Sequence, residues 1–270
     1  MSDPPRTLLE VIDLPLRREP PSFRIAQIAA RDELTPRLSR LTLAGDGLVG
    51  FEPDGPAASL RLLLPRPGTG ALELPGWNGN EFLYENGSRP PIRTLTPMAV
   101  DPVAGQLQVA VVRHGEGPLS TWAEAARVGD EVAVSGPGRG YEIDPEATSF
   151  LLAGDESALP AILTVLAELP SGAAARVLVE VEDDSDRVEL RSPASVSDVW
   201  LLRSSGAEPG DAFVEALRRE PIVEGTPVWV AGEAAAVQRA RRLLFDQRGL
   251  SRSQAVIRGY WKLGRAGAGS

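Results

Sequence analysis

Arg93-Thr94-Leu95-Thr96-Pro97 is the first segment with residues suited to holding a ligand. On a barrel strand, an Arg and a hydroxyl two to three residues on can reach one bound group. The guanidinium offers a fork for phosphate and the hydroxyl can bond a ring edge. The same residues also suit an ordinary surface strand, with Thr favoured by its β-branching. A second segment runs His114-Gly115-Glu116-Gly117-Pro118-Leu119-Ser120-Thr121-Trp122. There a Gly-rich turn feeds a helix, and the N–H groups of Leu119, Ser120 and Thr121 would point from its N-terminus at a diphosphate. The alternative is a plain capped helix with Trp122 in the core. His114 is either a buried, hydrogen-bonded residue or a contact to cofactor or substrate.

The third segment, Gly154-Asp155-Glu156-Ser157-Ala158-Leu159-Pro160, joins a short apolar run to a helix pattern, and Gly232-Glu233 repeats the arrangement. Ligands of open α/β sheets bind at such strand ends. Neither loop has the Gly-x-Gly-x-x-Gly spacing, and tight connections also need Gly. Glu180, Glu182 and Asp183 close another strand pattern and could accept ribose hydroxyls. Arg187 and Arg203 near the same edge could instead meet a 2′-phosphate, so NADH and NADPH both stay open. Last comes Gly259-Tyr260-Trp261-Lys262-Leu263-Gly264, whose aromatic pair and cation could stack on a ring, face an anion, or simply clamp a terminal strand.

These segments need two kinds of scaffold. After an N-terminal extension over 1–20, residues 21–145 alternate short apolar stretches with Gly/Pro turns, as an antiparallel β-barrel does. One helix, about Leu119–Arg127, interrupts it, with Pro118 in its first turn and Gly129 at its stop. Residues 146–264 alternate strand and helix patterns, which means βαβ units and a mostly parallel sheet. Helices are expected from Ala158 to Leu169, in Gly210–Glu220, and from Ala234 to a Gly249 cap. The boundary falls near Asp144–Thr148.

Composition restricts the chemistry. With no Cys, disulfides and thiolate-held clusters are excluded, and a single His argues against a His-based metal site. The net charge of −9 argues against nucleic acid and anionic membranes as partners. No stretch has the apolar length of a signal peptide or a membrane span, so a cytoplasmic protein is expected. Redox chemistry here would run through an organic cofactor or a bound substrate metal.

Taken in order, the Arg-x-x-Thr-Pro strand, the Gly-Pro-x-Ser-x-Trp-Ala turn, Gly-Asp-Glu-x-Ala-Leu-Pro-Ala, Ala231-Gly232-Glu233 and Gly259-Tyr260-Trp261-Lys262 resemble the siderophore-interacting proteins of the ferredoxin–NADP reductase superfamily. The resemblance covers about Phe23 to Gly264. It implies a barrel that binds FAD and an α/β domain that receives NADPH or NADH. The implied activity is reduction of a ferric siderophore with release of ferrous iron, in a protein expected to be monomeric. Arg93, Thr94, Leu95 and Thr96, with His114, Gly117, Leu119, Ser120, Thr121 and Trp122, would hold FAD. Gly154, Asp155, Glu156, Ala158, Leu159, Gly232 and Glu233 would border the nucleotide, and Arg61, Trp261 and Lys262 would face the ferric chelate. No side-chain acid, base or nucleophile is implied. The family's flavin strand carries Tyr where this chain has Leu95, which can cover a ring by dispersion but not by π-stacking. A reductase of a quinone or partner protein, and a binder that has lost FAD, are the alternatives.

Overall fold

A computed structural model describes residues 20–113 and 117–264. His114, with Gly115 and Glu116, lies outside the described residues, as do residues 1–19 and 265–270. The first half holds β1 (Arg24–Thr35), β2 (Leu38–Ala44), β3 (Leu60–Leu63), β4 (Gly76–Trp77), β5 (Phe82–Leu83), β6 (Ile92–Leu95), β7 (Pro97–Asp101), β8 (Gln106–Val112), α1 (Pro118–Ala125) and β9 (Glu131–Ser135). The second holds β10 (Ser149–Asp155), α2 (Leu159–Glu168), β11 (Ala174–Val181), β12 (Ser195–Leu202), α3 (Asp211–Arg219), β13 (Val228–Glu233), α4 (Ala234–Arg241) and β14 (Ala255–Trp261).

Seven antiparallel strands form the first sheet in the order β6-β3-β9-β1-β2-β8-β7. Its two outermost strands are consecutive in the chain, with only Thr96 between them. The sheet's two edges are therefore joined by the chain at Thr96, and the sheet curls as a half-barrel. Alternation drives the inward face. Leu107, Val109 and Val111 of β8 meet Leu41 and Leu43 of β2 and Leu60 and Leu62 of β3 in one apolar core. The β4–β5 hairpin, absent from the sequence reading, has strands of two residues each, too short to show as a period-2 pattern. Trp77 and Phe82 cross it edge to face at 5.1 Å.

The second sheet is parallel throughout, in the order β12-β11-β10-β13-β14. Its central strands are apolar on both faces because helices cover both. Phe150, Leu152, Val177 and Val179 pack under α2, and Leu151, Ala153, Leu178 and Val230 pack under α3 and α4. The α2 side also takes in Leu38, Ala57, Ala110 and Tyr141 of the barrel, so the two halves share one core.

The last expected helix departs from its sequence reading. α4 ends at Arg241 and continues as a π-helical turn over Arg242–Gln247, which buries Leu243 and Leu244 before Gly249 turns the chain at φ 70°. The remaining helix limits fall within two residues of the sequence expectation. Polar clamps hold the halves in register. Arg258 donates to the carbonyls of Ala57 (3.0 Å) and Gly140 (2.9 Å), and Thr164 Oγ1 accepts from the Ala57 N–H at 2.9 Å. Arg37 and Thr35 of the barrel bond Asp186 at 3.0 and 3.1 Å. No helix among the described residues is long and apolar enough to cross a membrane.

Candidate functional site

The barrel rim and the carboxyl edge of the parallel sheet meet at Thr96. This residue is buried at the junction of β6 and β7, beside the Tyr260 hydroxyl of β14. Burial pushes the Tyr260 phenol up, while neighbouring Arg258 and Thr96 oppose the shift. Tyr260 also meets the fully buried Trp229 ring edge to face at 6.2 Å.

On β6, Arg93 and Leu95 sit opposite Leu62 and Leu60, on the core side of the sheet. Thr94 is exposed on the other side, opposite Arg61. Arg93 is half-buried, and its one hydrogen bond goes to the adjoining Ile92 carbonyl at 2.7 Å. No carboxylate pairs with it among the described residues. Burial holds its guanidinium below the ordinary arginine value. A partly buried cation without a counter-charge is unfavourable unless a bound anion balances it.

Leu95, Leu119 and Trp122 lie half-buried against the same barrel core, so β6 and α1 both pack on it. Helix α1 starts at Gly117-Pro118, as expected, but its N-terminus offers fewer donors than the sequence reading gave. Thr121 N–H is already bonded to the Gly117 carbonyl at 2.9 Å, because it closes the first helical turn. Thr121 itself is exposed and its hydroxyl accessible, Ser120 is buried, and Leu119 N–H has no partner among the described residues. The residues present suit a diphosphate: a guanidinium with no carboxylate partner among the described residues and a helix N-terminus, both on the same barrel core.

At the sheet edge, the Gly154 and Gly232 turns are locked together. A Cβ on Gly154 would come within 2.3 Å of the Ala231 carbonyl, and one on Gly232 (φ 151°) within 2.7 Å of Asp155. Asp155 is fully buried and accepts four bonds. They come from Ser157 N–H (2.9 Å) and hydroxyl (2.5 Å), Glu233 N–H (2.8 Å) and Trp261 Nε1 (2.9 Å). Burial raises its carboxyl, against those bonds. Glu233 caps α4 through Ala235 and Ala236 N–H and accepts from Leu263 N–H at 3.2 Å. Both carboxylates thus tie the C-terminal strand to the two turns. Ala158 and Leu159 are buried in the core beneath.

Glu180 is a correction to the ribose reading. Its carboxylate is fully buried and accepts from Gly210, Ala212 and Phe213 N–H at 2.8, 2.9 and 3.2 Å, capping α3, and from Arg203 Nε at 2.8 Å. The separation of 30 residues hides that contact from sequence reading. Arg203 also pairs with Glu156 at 3.1 Å, so it is not open to a phosphate, and the exposed Arg187 pairs with Asp184. Arg61 and Lys262 have no ion pair among the described residues, and no described contact joins them. The indole N–H of Trp261 is taken by Asp155. Arg258, the interdomain clamp, was missed because its acceptors are backbone carbonyls.

Glu156 gives the edge a titration. Its carboxyl is pushed up to about 6, chiefly by burial, with Arg203 opposing. The folded protein then holds a proton that the unfolded chain, at 4.5, has released. A raised acid makes stability fall as pH rises between the two values. We expect Glu156→Gln, which cannot ionise, to remove about 1.5 kcal/mol of that fall between pH 4.5 and 7.5. Urea unfolding of both proteins at the two pH values measures it, and identical pH dependence would contradict the assignment.

Residues 27–141 match the model of the siderophore-interacting FAD-binding domain, and residues 147–264 match that of the siderophore-interacting protein. The solved structure of a siderophore utilization protein from T. fusca is 33% identical and superposes with a TM-score of 0.81, covering 92% of this chain and 95% of that one. The ferric vibriobactin reductase of Vibrio cholerae is 29% identical over 90% of each chain. The NADPH-dependent ferric-chelate reductase of Escherichia coli is 27% identical over 88% of this chain and 92% of its own. On this barrel, this parallel sheet and these matches, the chain belongs to the siderophore-interacting protein family.

Proposed function

We propose that this protein is an NAD(P)H-dependent flavoprotein that reduces ferric siderophores in the cytosol, acting as a monomer. In this reading residues 21–145 form the FAD unit and residues 146–264 the nucleotide unit. The observation that supports it most is Arg93, a half-buried guanidinium on the core side of β6 with no carboxylate partner among the described residues.

Arg93 binds the diphosphate, with Leu119 N–H and the Thr121 hydroxyl beside it. Leu95 and Trp122 give the ring system an apolar wall, and Thr94 and Thr96 offer hydroxyls at its border. Asp155 and Glu233 act as positioning residues: they hold Trp261, Leu263 and the two glycine turns where the nucleotide arrives. Arg61 and Lys262 supply positive charge for an anionic chelate. The bound flavin supplies the conversion of a two-electron hydride donor into one-electron steps. One nucleotide thus reduces two Fe(III) ions to Fe(II). Hard oxygen ligands hold Fe(II) less tightly, so iron leaves the chelate. No side chain need donate or remove a proton.

Anaerobic turnover of the FAD-loaded protein with NADH or NADPH and a ferric siderophore tests the reading, with Fe(II) trapped by a nitrogen chelator. Two Fe(II) per nucleotide oxidised is expected. Turnover with a quinone but not with any ferric chelate would overturn the substrate.

A further inference from the structure

We propose that the carboxyl edge of the parallel sheet selects NADH over NADPH, because its arginines are already neutralised. The inference rests on the reading that this edge receives a pyridine nucleotide. In doubly wound sheets the residues closing the second strand meet the adenosine ribose, where a carboxylate suits a 2′-hydroxyl and a free Arg suits a 2′-phosphate. Here β11 ends at Val181 and runs into Glu182, Asp183 and Asp184.

All three guanidinium nitrogens of Arg203 are engaged: Nε with Glu180 at 2.8 Å, Nη2 with Glu156 at 3.1 Å and Nη1 with Glu182 at 3.8 Å. Its side chain is largely buried, so it cannot swing out without breaking those pairs. Arg187 is paired with Asp184, and Arg37 with Glu182 (3.1 Å) and Asp186 (3.0 Å). Glu156, Glu180, Glu182, Asp183, Asp184 and Asp186 thus outnumber the rim's Arg37, Arg187 and Arg203 two to one. A phosphate monoester carries close to two negative charges at neutral pH. It would enter a field of its own sign, with Arg203 held on every nitrogen and Arg37 and Arg187 each already paired with a carboxylate. A ribose hydroxyl meets the reverse situation. Glu182 is half-exposed, and one oxygen of the exposed Asp183 accepts from Ser185 while the other stays open.

Calorimetric titration of the FAD-loaded protein with NAD+ and with NADP+ tests this without turnover. NAD+ should bind at least about tenfold more tightly at low salt, and the gap should narrow in concentrated salt because the exclusion is electrostatic. Glu182→Gln with Asp183→Asn should shift the preference about fivefold or more towards NADP+. Both positions are surface-exposed, and a thermal midpoint close to that of the unaltered protein confirms folding. Equal or tighter NADP+ binding, or a preference indifferent to both salt and the substitutions, would overturn the inference while leaving the nucleotide edge intact. Binding of neither nucleotide would overturn the edge reading and this inference together.

Discussion

Replacing Arg93 by Ala should weaken FAD binding by about ten- to a hundredfold, since hydrogen bonds to charged groups contribute roughly 1.5–3 kcal/mol. Nothing else in the described structure replaces the charge at that rim. The same substitution should leave the stability of the FAD-free protein unchanged or slightly higher, because among the described residues Arg93 has one bond, to its own neighbour, and no carboxylate offsets its burial. That pairing of effects separates a ligand-holding arginine from a structural one. Arg93→Lys should fall between, because an ammonium keeps the charge and loses the fork. Quenching of FAD fluorescence on titration with apoprotein gives the affinity, and urea unfolding gives the stability. An unchanged affinity, or a large loss of stability, would remove Arg93 from the site.

Glu180→Ala should destabilise the fold by about 3–5 kcal/mol. The carboxylate is buried and serves four donors, so its loss strands three backbone N–H groups at the start of α3 and leaves Arg203 short of one partner. Glu180→Gln should recover part of the loss, since an amide oxygen can still accept from the helix start but cannot balance the guanidinium. Urea unfolding compares the three proteins. A loss below about 1 kcal/mol, the range of an exposed pair, would show that the cap and ion pair are solvent-screened.

Much of the architecture was legible because it rests on local pattern. The alternation in Leu107–Val111 marks a barrel strand, and the unbroken apolar run Phe150–Ala153 marks a strand covered on both faces. Pro118 marked the start of α1 for the same local reason. The site was legible as a set of segments but not as contacts. Asp155 and Glu233 close strands β10 and β13, the kind of strand end the sequence reading expected to border a ligand, yet their oxygens are taken by Trp261, Leu263 and the neighbouring turn. Which group a carboxylate faces depends on partners 30 to 106 residues away. Glu180 and Arg258 show the same limit: one caps a distant helix and the other bonds barrel carbonyls, and neither contact leaves a spacing in the chain. Leu95 is the opposite case. A position that the family resemblance fills with an aromatic ring holds here a half-buried Leu packed on the barrel core.

The most direct test of the account is the visible spectrum of the purified protein titrated with FAD and then, without oxygen, with NADH. The account predicts a bound-flavin band near ~450 nm that bleaches with the nucleotide and returns when a ferric siderophore is added. A protein that gains no flavin band even in excess FAD would contradict it, and would make this chain a binder that keeps the fold without the redox chemistry.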